Sequence, residues 1–265
     1  MLDNQSTPKH IAMWSCPRSR STLVSRSFGQ LDGCMVYDEP FYASYLVNEG
    51  FDHPQRNAVM ACRETDYDRV TSQLMGDLLS GVSFSFQKHI AKHIQTDKSQ
   101  KWLEYCRHFF LIRNPKKIIQ SYQKICANLT DRDIGIESLF NLFKIVDSIS
   151  GKPPLVVDAD DLIENPRYFL NKLCLHLDIP FSDKMLSWEP GLAKSSEVAN
   201  NPFPWLWTGE LPLTNWYSNI HRSTGFIAPK EEREVDLADR FIPILEACLP
   251  FYHELYQYRL CLDDK

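Results

Sequence analysis

Glycine is scarce in this chain, ten among 265 residues, and none falls between Ile11 and Phe28. That gap excludes a Walker-type GxxxxGKS/T loop there, whose glycines let backbone amides close around a phosphate. The eight cysteines include no CxxC pair. Their spacing speaks for reduced intracellular thiols that mostly pack, and against a disulfide framework or a zinc site. No apolar run approaches the roughly 18 residues of a membrane span. The opening stretch MLDNQSTPKH lacks the apolar centre of a secretory signal. A basic excess is missing too: 29 Lys and Arg against 34 Asp and Glu leave a net charge of −5, the wrong balance for a general nucleic-acid binder. The expectation is a cytoplasmic protein, monomer or homodimer, with no nucleic-acid and no membrane partner. Any anion site must then be a local concentration of cations and backbone donors.

What is present is the patterning of a globular enzyme-sized chain. At 30.8 kDa it can bury one sizeable core, and without repeats or low-complexity linkers residues 1–265 read as a single domain. Short apolar runs predict strands at Ile11–Trp14, Cys34–Tyr37, Val82–Phe86, His108–Ile112 and Leu155–Asp158. Helical periodicity is expected from Thr22, over Val70–Leu79, from Pro115 with Asn114 as N-cap, over Ile136–Ile149, and from Asn165-Pro166 to about His176. The Pro115 helix should carry an apolar stripe through Ile118, Tyr122, Ile125 and Leu129. Val235–Tyr256 reads as helical but interrupted at Pro243 and Pro250. Strands alternating with helices predict an α/β fold, three layers with a central, mostly parallel sheet and helices on both faces. Residues 187–217 hold four of the six tryptophans and many prolines. They predict a loop-rich cap over the carboxyl edge of the sheet.

Two stretches carry the chemistry. From Ile11 to Phe28 the chain reads strand, basic hydroxyl-rich loop, helix, a geometry that gathers free N–H groups and a positive helix end around an anion. Further on, Arg113 closes a strand and Ser121 lies eight residues later on the next helix, where a planar donor fork and a hydroxyl converge if the connection folds back. The bland readings are an ordinary solvated connection and a surface arginine.

The string Phe110-Leu111-Ile112-Arg113-Asn114-Pro115 through Ser121 resembles the 3′-phosphate-binding segment of the sulfotransferases that use 3′-phosphoadenosine 5′-phosphosulfate (PAPS). Ser15-Cys16-Pro17-Arg18-Ser19-Arg20-Ser21-Thr22 is similar to that family's 5′-phosphosulfate loop. Asp160-Asp161-Leu162 with Asn165-Pro166, and His221-Arg222-Ser223-Thr224-Gly225, resemble later family segments in the same order. The resemblance spans about residues 11–226 and implies a P-loop-like fold, a small-molecule acceptor, PAPS as co-substrate, adenosine 3′,5′-bisphosphate as product, and no metal. Carried over, Arg18, Ser19, Arg20, Ser21 and Thr22 would hold the 5′-phosphosulfate. Arg113 and Ser121 would hold the 3′-phosphate, with Arg222 joining them. Two departures stand out: Arg18 replaces a common lysine, and Arg20 occupies a position where most members have glycine.

The implied reaction transfers a sulfuryl group to a hydroxyl or amine by in-line displacement, with a His or Glu general base. Catalytic candidates are His93, Glu39, Arg18 and Lys88. His93 sits in a segment similar to the family's Lys-x-His stretch, His89 is its rival, and Asp38-Glu39-Pro40 resembles a Glu-Pro segment that supplies the base in other members. Lys88 or Lys92 would assist the leaving group. The competing class is a small-molecule kinase with an atypical phosphate loop, which would require Mg²⁺ and a Walker-type lysine.

Overall fold

The computed structural model describes residues 10–50, 55–126, 128–191, 201–206, 220–227 and 236–262. Its centre is a five-stranded sheet of β1 (His10–Ser15), β2 (Cys34–Asp38), β3 (Phe84–Ile90), β4 (Arg107–Ile112) and β5 (Leu155–Asp158), in the spatial order β2-β3-β1-β4-β5. Every pairing is parallel. The α-helices among the described residues are α1 (Ser21–Phe28), α2 (Tyr42–Glu49), α3 (Arg56–Cys62), α4 (Tyr67–Leu74), α5 (Pro115–Tyr122), α6 (Asp131–Ile134), α7 (Ile136–Ser150), α8 (Ala159–Glu164), α9 (Pro166–His176) and α10 (Ile242–Tyr256).

Strand alternation divides the core into two layers. Ile11, Met13, Val36, Phe86, Phe109, Leu111 and Val157 pack with residues of α1, α8 and α9. Ala12, Trp14, Met35, Phe110, Ile112 and Val156 pack on the other face with residues of α5, α7 and α10. This is the three-layer α/β arrangement that the sequence predicts.

Element ends differ where local chemistry outweighs pattern. β3 runs to Ile90 rather than stopping at Phe86, because the polar run Gln87-Lys88-His89 is satisfied inside the sheet. Gln87 Nε2 donates to Ser85 Oγ at 3.2 Å, His89 Nε2 lies 3.1 Å from Gln87 Oε1, and Lys88 meets two carboxylates. With partners of this kind, burial of the polar groups is tolerated. The α5 start is as expected, with Asn114 Oδ1 accepting from Lys116 N at 2.9 Å, but the helix ends at Tyr122. Ile125 therefore belongs to the cavity wall and not to a helical stripe. Pro243 lies in the first turn of α10 and does not interrupt it. Pro250 sits inside α10 without ending it, since the carbonyl it leaves without a donor belongs to exposed Glu246.

Of the expected cap, residues 201–206 form a strap along the outer edge of β2. Asp38 N donates to Phe203 O at 3.1 Å, and Asn201 Nδ2 donates to Val36 O at 3.0 Å. Covering this edge removes an open row of strand donors and acceptors. Trp207, Glu210, Trp216 and Tyr217 lie outside the described residues.

Two histidines are packing groups. His89 stacks on Trp14 with ring centroids 4.4 Å apart, and His108 Nδ1 accepts from Trp14 Nε1 at 3.0 Å. Burial drives His89 well below the usual histidine range and lowers His108 to about 4. Because the unfolded chain takes up those protons near pH 6.5, each neutral buried ring contributes stability that is present above that pH and is lost as pH falls toward its folded value. Replacing His108 with Asn should flatten the stability loss between about pH 6.5 and 4 by up to one proton's slope, about 1.4 kcal/mol per pH unit. Urea unfolding of both proteins at pH 7 and pH 5 checks this, and parallel losses would show that His108 is not a titrating group.

Candidate active site

A single direction for all strands brings their carboxyl ends to one edge, where a cavity of about 1070 Å³ opens. The chain leaves β1 at Ser15 and enters α1 through residues 16–20. Ser19 is fully buried, and its Oγ donates to Cys16 O at 2.7 Å, closing the turn from within. Arg18 and Arg20 both take left-handed backbone conformations, with φ of 62° and 66°. Such a conformation disfavours a residue bearing a Cβ by roughly 1–2 kcal/mol. This explains physically why glycine suits the position of Arg20. Arg18, Arg20, Ser21 and Thr22 line the cavity, whereas Ser19 shapes the loop from behind.

The second anion element meets this loop directly. Arg18 Nε donates to Ser121 Oγ at 3.1 Å, and Arg113 Nη1 donates to Arg18 O at 3.1 Å. Arg113 and Ser121 are both in the cavity wall. The strand-to-helix turn at Asn114-Pro115 folds α5 back far enough for residues 113 and 121 to converge, as their spacing requires. Arg222 stands apart: it is exposed, and the wall nearby is made by Ile220, Ser223 and Ile227.

The charge hub of this half is not legible in any contiguous stretch of sequence. Asp160 Oδ2 lies 3.1 Å from Lys117 Nζ, while its Oδ1 lies 3.7 Å from Arg113 Nε and 3.8 Å from Arg20 Nη2. One carboxylate thus sits among three cations. Its own segment was visible in the sequence, but the meeting of β5 with β4 that brings these groups together is tertiary.

On the other side of the loop stands a second charged cluster. Lys88 Nζ, on a side chain 1% exposed, reaches Asp38 Oδ1 at 2.8 Å and Glu39 Oε1 at 2.6 Å. Burial opposes the Lys88 charge, but the two carboxylates more than offset it and raise its pKa above the ordinary lysine value. Burial likewise pushes Asp38 upward, against the pull of Lys88. Glu39 takes a left-handed φ of 46° at the end of β2, and its N–H donates to Lys88 O at 2.9 Å. Held strain of this kind recurs at functional sites. His93, on the turn after β3, is buried between the rings of Tyr42 and Tyr45, at 5.2 and 4.6 Å, and lines the cavity with Glu39 and Lys88. Lys92 lines it as well, its Nζ donating to Asp133 O at 3.3 Å, and burial lowers its pKa. His89 points to the opposite face of the sheet, since adjacent strand residues alternate. It is not in the cavity wall.

Fold and site together define a parallel-sheet α/β protein with a cation-lined cleft at its carboxyl edge. The sulfotransferase-domain family profile matches residues 9–258. The chain belongs to the sulfotransferase family, whose chemistry is sulfuryl transfer. In structure it is similar to the sulfotransferase domain from the Synechococcus PCC 7002 olefin synthase, with a TM-score of 0.52, 15% identity, and 97% and 98% of the two chains covered. A like match is the sulfotransferase domain from the curacin biosynthetic pathway, with a TM-score of 0.53, 12% identity, and 96% and 99% covered. In sequence it is 34% identical over 248 residues to branched-chain-amino-acid aminotransferase-like protein 2 of Arabidopsis thaliana, and 34% identical over 251 residues to protein 1 of the same name. These matches take in 92% and 94% of this chain but 41% and 42% of those proteins, so the chain spans about two fifths of their length.

The left-handed geometry at Arg20 generates a prediction. Arg20→Gly should stabilise the ligand-free protein by about 0.5–1 kcal/mol in urea unfolding, through relief of backbone strain. A less stable variant would mean that the contact with Asp160 outweighs that strain.

Proposed function

We propose that the protein transfers a sulfuryl group from PAPS to a hydroxyl or amine of a small-molecule acceptor bound in this cavity. The observation that carries the reading is the contact between the two anion elements, Arg18 Nε to Ser121 Oγ and Arg113 Nη1 to Arg18 O, each 3.1 Å. A nucleotide with phosphate on its ribose and a phosphosulfate on its 5′ oxygen presents two anionic ends a few bonds apart. Two neighbouring cation sets joined through one arginine suit that ligand.

When bound, PAPS supplies a sulfuryl group activated by its phosphate leaving group. Arg18, Arg20, Ser21 and Thr22 would hold the 5′ end, with the guanidinium of Arg18 offsetting charge that builds on the leaving oxygen. Arginine remains charged throughout and acts there only through its field. Arg113 and Ser121 would bind the ribose phosphate. Glu39 and His93 stand on the remaining wall, and each is a Brønsted base suited to take the acceptor's proton. Tyr42, Tyr45 and Tyr122 frame the same wall and would enclose the acceptor.

Adenosine 3′,5′-bisphosphate at about 100 times its Kd should stabilise the protein by roughly 2.7 kcal/mol, a rise of about 5–10 °C for a chain of this size. Arg113→Ala should weaken that ligand about ten-fold or more, as expected for loss of a charged hydrogen bond. Stabilisation by ATP with Mg²⁺, and none by the bisphosphate, would instead support phosphoryl transfer.

A further inference from the structure

Asp38 is fully buried at the end of β2 and does not line the cavity, yet it touches both the catalytic wall and the strap. Its Oδ1 accepts from Lys88 at 2.8 Å, and its Oδ2 accepts from Leu206 N at 3.0 Å. Arg63 donates to the carbonyls of Asp38 and Pro204, tying the same strap to the same strand end. Lys88 then passes from Asp38 to Glu39, the only carboxylate of the three-residue cluster that reaches the cavity.

We propose that Asp38 is a positioning residue that holds and charge-balances the Lys88 ammonium, so that Glu39 accepts the acceptor's proton. The inference rests on the sulfuryl-transfer reading and deepens it. A buried ammonium paired with Glu39 alone would resist protonation of that carboxylate, because the reaction would strand an unbalanced charge in the interior. With Asp38 present, Lys88 keeps a partner after Glu39 becomes neutral. Asp38 and Glu39 share the one ammonium, at 2.8 and 2.6 Å, so neither carboxylate holds it alone. In the step itself, the acceptor oxygen or nitrogen forms a bond to sulfur while its proton passes to a Glu39 oxygen. The bond from sulfur to the bridging oxygen breaks, and its electron pair leaves with the bisphosphate. Lys88 retains all its protons and orients the Glu39 carboxylate.

The charged and titratable groups facing Glu39 are Lys88 and Asp38 from the sheet, Lys92 from the turn after β3, Tyr42 from α2 and Tyr122 from α5. His93 lines the same cavity. Of these, Asp38 contacts Lys88 without facing the acceptor, so its substitution leaves the cavity wall intact.

The test is the pH dependence of kcat for the wild type, Asp38→Asn and the Asp38→Asn/Lys88→Met double variant. The first change should move the acid limb down by about one pH unit and lower the plateau roughly three- to ten-fold, because Glu39 is then locked against Lys88 as a weaker base. KM for PAPS should change less than about two-fold, since the cations holding PAPS are untouched. The double variant should move the limb above that of the wild type, because Glu39 is left without its cation. A folded Asp38→Asn enzyme with an unshifted limb would overturn the proposal, as would full activity of Glu39→Gln beside a dead His93→Ala. Carbon-13 NMR titration of the Glu39 carboxyl provides a readout independent of turnover. If the wild type neither turns over PAPS nor binds the bisphosphate, the sulfuryl-transfer reading fails. The Glu39 titration must still differ between wild type and Asp38→Asn, or the charge coupling fails as well.

Discussion

The site depends on the position of β1 in a sheet whose strands all run one way. From β1 the chain moves to one side for β2 and β3, then to the other for β4 and β5. Connections that diverge in this way open a crevice at the carboxyl ends of the strands. The loop after β1 sits at that divergence and therefore has two kinds of neighbour. Toward β4 and β5 it meets Arg113, Ser121 and Asp160; toward β3 and β2 it faces the Lys88 and Glu39 cluster. Strand order thus sets a cation-rich cluster on one side of the loop and the buried Lys88 cluster on the other.

The two sides manage charge differently. Around Asp160 the charges are partly solvated except for Arg113, which is buried; the Asp160 and Lys117 side chains are 23% and 36% exposed. Water and salt weaken those contacts. On the other side Lys88 and Asp38 are buried, and removing one partner of such an ion pair destabilises a protein by about 3–5 kcal/mol. The strap at residues 201–206 helps keep it dry, because Leu206 N bonds Asp38 while the chain covers the β2 edge. Fold closure and site electrostatics share the same carboxylate.

Much of the architecture was legible. Short apolar runs located the five described strands, and Asn114-Pro115 marked the start of α5 because a cap and a fixed φ act within a few residues. The apolar run ends at Phe86, whereas β3 continues through Gln87, Lys88 and His89, whose partners no local pattern reveals. Those partners, Ser85, Asp38, Glu39 and Trp14, come mostly from other strands. The same strand separates Lys88 from His89: one residue of register sends the lysine to the cavity and the histidine into the aromatic packing around Trp14.

The sequence by itself determined the alternating strands and helices, the basic loop after β1, and the Arg113–Ser121 spacing, since each is written in contiguous residues. Only the tertiary structure decided that Arg18 bridges to Ser121, that Asp160 gathers three cations, and that Asp38 stands behind Lys88 and Glu39. Those contacts join residues separated by tens of positions or more. Their energies depend on distance and burial, which exist only after the parallel sheet has brought the strand ends to one edge.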